Sequence, residues 1–298
     1  MSHNAQFSQR FLPLLLALPQ LLAVLLFFYW PTVQAFWWSF HYVQPFGGSE
    51  IFAGLANYVR VLHDPSVLSS LGTTLVFSLC STLLALSLAL ALGACLQLKV
   101  RGYKIFGNVL IWPYAVSGAT LGIIFQVLAN PIFGPLAWIN HLVPEAWAPS
   151  AKGWQAMTLL VFAYAWCQLP FNIVMIVASL QSVPEDCLAA AALDGATPWQ
   201  RLRDIQLPMV APYLFFVFVV GLLDSLSNSF GLVDRLTHGG PGNATEILAF
   251  KIYQDGFVGI DLAGSSTLSV LMLVVVVVLS VTQYRYLSWR NRRREHHG

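Results

Sequence analysis

The residues of this chain best placed to do chemistry are polar groups set in apolar surroundings, and they come in pairs four positions apart. Gln168 and Asn172 form one pair, with Pro170 between them; Asp224 and Asn228 form the other, beside Ser225, Ser227 and Ser229. An i,i+4 spacing puts both members of a pair on one face of a helix. Amides and hydroxyls aligned in this way can hydrogen-bond a passing polar solute. They can equally bond a neighbouring helix, an interaction worth about 0.6 kcal/mol on average. Gln168, Asn172, Ser225 and Asn228 are the candidates for lining a solute pathway. Asp224, a carboxyl within an apolar run, should face protein or water and not lipid, or be held protonated. Covalent and metal chemistry find no support. None of the seven His lies in a long apolar run, and Cys80, Cys95, Cys167 and Cys187 lack metal-ligand spacing. G-x-S-x-G and H-E-x-x-H are absent. The expectation is a chain with no catalytic residue, no metal site and no bound cofactor of its own.

These pairs must be held by helices that cross a membrane. The mean hydropathy is +0.68, and 57% of residues are hydrophobic while 9% are charged, against about a quarter charged in soluble domains. Six apolar runs, near 11–30, 73–97, 105–128, 156–180, 209–229 and 267–287, are each long enough to cross a hydrocarbon layer of about 30 Å as a helix. The expected fold is therefore all-α, a polytopic membrane protein with six transmembrane helices in a single domain, 1–298. The first run follows Arg10 but is too long for a signal-peptide core, and Trp37-Trp38 come after it. It reads as a retained anchor.

Lys and Arg set the orientation. One side carries eleven: Arg10, Lys99, Arg101, Lys104, Arg201, Arg203, Arg285, Arg290, Arg292, Arg293 and Arg294. The other carries four: Arg60, Lys152, Arg235 and Lys251. This bias predicts that both termini and the 182–208 loop face the cytoplasm. The Arg290–Arg294 run reads as a topology anchor against anionic lipid, and His296 and His297 as plain tail residues. Basic residues confined to membrane edges give no reason to expect nucleic acid. The four external cations read as rim residues or as groups that steer an anion. No span has Lys or Arg near its middle, so strong anion recognition is expected elsewhere.

The 182–212 stretch, SVPEDCLAAAALDGATPWQRLRDIQLPMVAP, lies between two apolar runs yet is charged and rich in alanine. Ser182 and Glu185 have capping-box spacing, which predicts a helix from near Pro184. Ala189, Ala190 and Ala191 favour helix and leave no bulk on that turn. Gly195, after Asp194, is placed to end the helix in a left-handed conformation. Thr197, Pro198 and Gln200 repeat the start signal for a second short helix. Pro208 and Pro212 are expected to bend the chain into the next span.

The order Ala189-Ala190-Ala191, Gly195, then Ile205-Gln206-Leu207-Pro208 resembles the EAA loop of ATP-binding-cassette importer permeases, with Ala189 in place of the Glu of that name. Phe11-Leu12-Pro13, Trp30-Pro31, Asn57-Tyr58, Trp112-Pro113-Tyr114 and Gly239-Gly240-Pro241 are similar to the sugar-uptake branch. Lys251-Ile252-Tyr253, Gly256-Phe257, Asp261-Leu262-Ala263 and Gln283-Tyr284-Arg285-Tyr286 resemble the first permease subunits of sn-glycerol-3-phosphate importers. The resemblance implies a type I importer permease of the bacterial inner membrane, multi-pass, carrying sn-glycerol-3-phosphate, a glycerophosphodiester or a sugar. It also implies partners: a second, homologous permease, two copies of an ATPase that hold ATP and Mg, and a periplasmic substrate-binding protein. The coupling loop would comprise Glu185, Asp186, Ala189, Ala190, Ala191, Asp194, Gly195, Ile205, Leu207 and Pro208. Glu185 or Asp186 would stand in for the missing Glu. No Lys in this chain sits in a G-x-x-x-x-G-K-[ST] context, so it lacks that motif for cradling nucleotide phosphates. A secondary transporter, the alternative, wants several charged groups near the midplane.

Overall fold

In hydrocarbon every backbone donor and acceptor must be satisfied within its own segment, so long apolar runs fold as helices. A computed structural model describes residues 11–44, 50–97, 107 and 109–295. Arg10, Lys99, Arg101, Lys104, Pro45 to Gly48, His296 and His297 lie outside the described residues. Among those described, five helices are long and apolar enough to cross a bilayer, or six if one bent pair counts as a span. The chain divides into two compact units, Met1–Asp64 with Ile252–Met272 and Pro65–Lys251 with Leu273–Gly298.

In the first unit, the helix Phe11–Val24 continues through a π turn, Leu25–Tyr29, into the helix Trp30–Ser39. The span therefore runs well past its expected end at residue 30. Pro31 has no N–H, and its ring would press on the preceding turn. The wider π turn directly before it relieves that crowding. The Thr32 hydroxyl donates to the Phe28 carbonyl at 2.7 Å. Beyond the helix, His41–Tyr42 pairs antiparallel with Ile51–Phe52. Buried Asn57 fixes the exit from the helix into the first of these strands, its Nδ2 donating to the carbonyls of Ser39 (3.1 Å) and His41 (3.0 Å). Asp261 caps the Leu262–Glu295 helix by accepting from the Gly264 N–H at 2.8 Å, and its carboxylate lies 2.9 Å from Arg60. This cap explains why the last helix begins at 262, ahead of the expected 267.

In the second unit, Pro65–Gln97 and Gly153–Gln181 pack along each other, and Leu207–Asn228 packs against both. Helices in lipid associate by van der Waals contact, which favours small residues where backbones approach. Gly93 and Gly221 fill that role. A Cβ on Gly93 would lie 3.2 Å from Ile176 Cγ2, and one on Gly221 2.8 Å from Thr82 Cγ2. Two apolar clusters result. One gathers Phe77, Leu160, Tyr164, Leu232 and Ile247; the other gathers Ala89, Leu169, Ile173, Ile176 and Val210.

The third run departs from expectation. Instead of one helix over 105–128, the pieces Val109–Ala115 and Gly118–Leu128 meet at 113°. Trp112–Ala115 forms a 3-10 turn around Pro113, and extended Ser117 then starts a new helix, its hydroxyl accepting from the Thr120 N–H. Gly122 fixes the new direction. A Cβ there would lie 2.9 Å from Arg235 Cβ and 3.1 Å from the Leu232 carbonyl oxygen, so the restart beds closely on Phe230–Leu236.

Candidate functional site

The connection after Gly153–Gln181 is an exposed elbow. Its first arm is the helix Glu185–Leu193, with Glu185 and Asp186 in its first turn, where carboxylates suit the helix dipole. The capping box expected from Ser182 does not form. Pro184 is the N-cap, so Ser182 stands two residues too early, and its hydroxyl donates instead to the Ser179 carbonyl at 2.7 Å. Ala189 and Ala190 are exposed and Ala191 is half-buried. After Asp194 the chain reverses at Gly195, whose φ is +84°. The Gly195 N–H donates to the Ala192 carbonyl (3.1 Å) and the Ala196 N–H to the Ala191 carbonyl (2.9 Å). This is the paired-bond ending that a left-handed glycine permits.

The second arm starts as its residues predict. Thr197 Oγ1 accepts from the Gln200 N–H and Gln200 Oε1 accepts from the Thr197 N–H, with Pro198 in the first turn. It does not stop. Pro198–Gln200 passes through a π turn, Arg201–Gln206, into Leu207–Asn228, one continuous helical span from Pro198 to Asn228. The bend expected near Pro208 and Pro212 does not end the helix, which continues through both prolines. As at Pro31, a π turn placed just before the proline accommodates its ring. Ile205 and Leu207 are half-buried along this arm and Pro208 is exposed. Two large apolar residues that the motif does not single out, Leu193 and Trp199, are 91% and 66% exposed beside the elbow. Their only sequence signal was a bulky apolar side chain in an otherwise small or charged loop.

Within the second unit lies a cavity of about 310 Å³ lined by Tyr114, Tyr164, Gln168, Asn172, Asp224 and Asn228 among others. The two i,i+4 pairs thus meet from two different helices. Asn228 Nδ2 donates to Asp224 Oδ1 at 2.7 Å. The Tyr164 hydroxyl lies 2.8 Å from Asp224 Oδ2 and 2.9 Å from the Asp224 carbonyl oxygen, its hydrogen shared between them. Gln168 Nε2 donates to the Gly221 carbonyl at 2.9 Å. Gln168 Oε1 and both polar atoms of Asn172 are buried without a hydrogen-bond partner. Buried polar atoms in a native chain are nearly always satisfied, so these three mark a place that expects a solute or water.

Ser225 does not line the cavity. It is buried, and its hydroxyl donates to the Leu222 carbonyl at 2.7 Å. Asp224 takes that place, its carboxylate engaged within this chain by Tyr164 and Asn228. Tyr164 was not singled out in the sequence, because one aromatic hydroxyl in an apolar run has no distinguishing pattern. No Lys or Arg appears among the described residues lining the cavity. The four cations expected outside are engaged locally: Arg60 with Asp261, Arg235 with Asp234, Lys251 with Glu246, and Lys152 Nζ with the Glu145 carbonyl oxygen.

Comparison with known proteins places this architecture. The family model described as "binding-protein-dependent transport system inner membrane component" matches residues 81–293. The sn-glycerol-3-phosphate transport system permease protein UgpA of Escherichia coli O157:H7 is 40% identical over 294 residues, covering 98% of this chain and 99% of that one. The protein of the same name from Brucella abortus biovar 1 is 39% identical over 284 residues, 95% of this chain and 97% of its own. In structure, the chain resembles a bacterial ABC transporter involved in the import of the acidic polysaccharide alginate, with a TM-score of 0.77, 18% identity and 93% and 95% of the two chains covered. It also resembles the MetNI methionine ABC transporter in an inward-facing conformation, with a TM-score of 0.54, 17% identity and 74% and 94% coverage. At such identities these two likenesses concern the fold. The family match, the near-full-length relatives and the fold agree: the chain belongs to the binding-protein-dependent transport system inner membrane components, the multi-pass permeases of ABC importers.

Proposed function

We propose that this chain is one of two permease subunits in an ATP-driven importer for sn-glycerol-3-phosphate or a related glycerophosphodiester. The observation that carries the substrate is the 39–40% identity, across nearly the whole chain, to permeases of sn-glycerol-3-phosphate transport systems. In this reading the chain is a conduit and not an enzyme. A second permease completes the path, two ATPase copies bind ATP and Mg, and a periplasmic binding protein delivers the solute. Both termini and the elbow face the cytoplasm, as the eleven-to-four distribution of Lys and Arg favours.

The elbow is the element that an ATPase would grip, through Glu185, Asp186, Ala189, Ala190, Ala191, Asp194 and Gly195 on the first arm and its turn. Ile205, Leu207 and Pro208 lie on the second arm. That arm supports a direct mechanical link. It runs without a break from Pro198 to Asp224 and Asn228, and 31 residues of helix extend about 45 Å at 1.5 Å per residue. The other flank of the elbow is the helix that carries Gln168 and Asn172. A displacement of the second arm therefore reaches the Asp224 and Asn228 wall through continuous helix, and one of the first arm reaches the Gln168 and Asn172 wall across the short turn 182–184.

The cavity itself favours a second reading for the solute, a neutral sugar or polyol. Its described lining offers amides, a phenol and a carboxylate, and no cation to meet a phosphate. Uptake by the intact transporter distinguishes the two. Cells carrying this chain with its co-purifying subunits should accumulate labelled sn-glycerol-3-phosphate in an ATP-dependent way. Accumulation of neutral sugars alone would establish the second reading, and uptake without any associated ATPase would overturn both.

A further inference from the structure

The geometry points to a binding site for one anionic phospholipid in the groove between the Pro65–Gln97 helix and the second arm of the elbow. This groove, of about 830 Å³, is distinct from the solute cavity. Its walls include Leu90, Ala91, Ala94, Leu188, Leu202 and Leu207, and Arg201 and Trp199 also line it.

Three observations select the occupant. Arg201 Nε is buried and has no hydrogen-bond partner, whereas the side chain of nearby Arg203 is 72% exposed and lies 3.8 Å from Asp204. A guanidinium donor left open in an apolar groove calls for an anionic acceptor. The groove also stands at a membrane face, because the elbow joins the end of one membrane-crossing helix, Gly153–Gln181, to the start of the next, Pro198–Asn228. Basic pockets between membrane helices at this level bind anionic headgroups. Finally, Trp199 is 66% exposed at the rim, the placement favoured by an indole at the hydrocarbon boundary. A phospholipid satisfies all three: its phosphate accepts from Arg201, and an acyl chain lies along Leu90, Ala91, Ala94 and Leu207. Free phosphate would leave the apolar walls empty, and a zwitterionic lipid would lack the net charge. A lipid seated here touches both a membrane-crossing helix and the π turn Arg201–Gln206, so its occupancy bears on how the elbow moves.

The test uses the full chain, extracted with its native associates in mild detergent and offered equal amounts of phosphatidylglycerol and phosphatidylethanolamine. Native mass spectrometry then counts the lipids retained. The expected result is one phosphatidylglycerol held in preference. Arg201→Gln should reduce that retention about fivefold, the effect of one basic residue at an anionic membrane surface. Arg201→Lys should keep most of it, and Arg203→Gln should leave it unchanged. Ala94→Phe, which fills the groove, should expel both lipids; Ala91→Phe reads the same wall should the first variant fail to insert. Equal retention of the two lipids, or unchanged retention in Arg201→Gln, overturns the proposal. Displacement of the lipid by an equal concentration of inorganic phosphate overturns it too, as does a groove found covered by a partner subunit and lipid-free in the assembled complex.

Discussion

The elbow around Gly195 and the cavity around Asp224 occupy the two ends of one helical span, yet they satisfy their polar groups in opposite ways. At the elbow the side chains are exposed and the backbone ends are closed locally, by the paired bonds at Gly195 and the reciprocal bonds of Thr197 and Gln200. In the cavity Tyr164, Gln168 and Asn172 are buried, Tyr164 and Gln168 bond across to the neighbouring helix, and three buried polar atoms of Gln168 and Asn172 remain open. Under the proposed function this contrast has a use: a surface for a protein partner is complete before that partner arrives, and a passage for a solute keeps some bonding capacity unspent.

Breaking the elbow should have the largest effect. Gly195 has no neighbour within 4 Å of where a Cβ would stand, so a substitution there acts through its φ of +84° and not through a clash. We predict that Gly195→Val, strained by about 1–2 kcal/mol in that region, lowers ATP-driven uptake tenfold or more while the chain still reaches the membrane. Gly195→Asn should restore much of the activity, since Asn tolerates the left-handed region. Equal loss with Asn and Val would mean that the elbow is read by residue identity instead of by backbone shape.

Between the two sites, Gly221 sets how closely the second arm beds on Pro65–Gln97. Gly221→Val brings a Cβ to within 2.8 Å of Thr82 Cγ2 and should destabilise the fold by about 1–3 kcal/mol, measured as thermal unfolding in detergent. Thr82→Ala in the same chain should recover part of that loss. In the cavity, Asn172→Leu should leave the unfolding temperature unchanged or raise it, because the amide has no protein partner to lose. Its solute KM should rise about fivefold, the equivalent of one hydrogen bond of about 1 kcal/mol. Unchanged uptake kinetics would remove Asn172 from the pathway. The smallest effect belongs to Tyr164→Phe, which removes the donor to Asp224. A loss near 0.6 kcal/mol is expected, less than a threefold change in KM.

The elbow was largely legible because its rules are local. The left-handed glycine, the Thr197–Gln200 box and the proline that follows it are read from neighbouring residues. Where the local reading failed, a competing local detail decided. Pro184 takes the N-cap, two residues past the Ser182 that was expected to cap, and a π turn carries the helix through Leu207-Pro208. The broken third span was not legible, because hydropathy registers residues 105–128 as one run while the bend rests on Ser117 and on the contact of Gly122 with Arg235 and Leu232. The choice of Asp224 over Ser225 was hidden for a related reason. Adjacent residues on a helix point about 100° apart, and only packing determines which of them faces the cavity.

By itself the sequence determined that this chain is helical and crosses a membrane, where its polar pairs lie and how its elbow turns. Hydropathy, spacing and capping act over a few residues and need no knowledge of distant ones. Only the tertiary structure decided that the pairs from Gly153–Gln181 and Leu207–Asn228 share one cavity, that Tyr164 holds the Asp224 carboxylate, and that Arg201 faces an apolar groove. Those facts depend on contacts between residues tens of positions apart, fixed by where glycine lets helix backbones approach and where bulk keeps them separate.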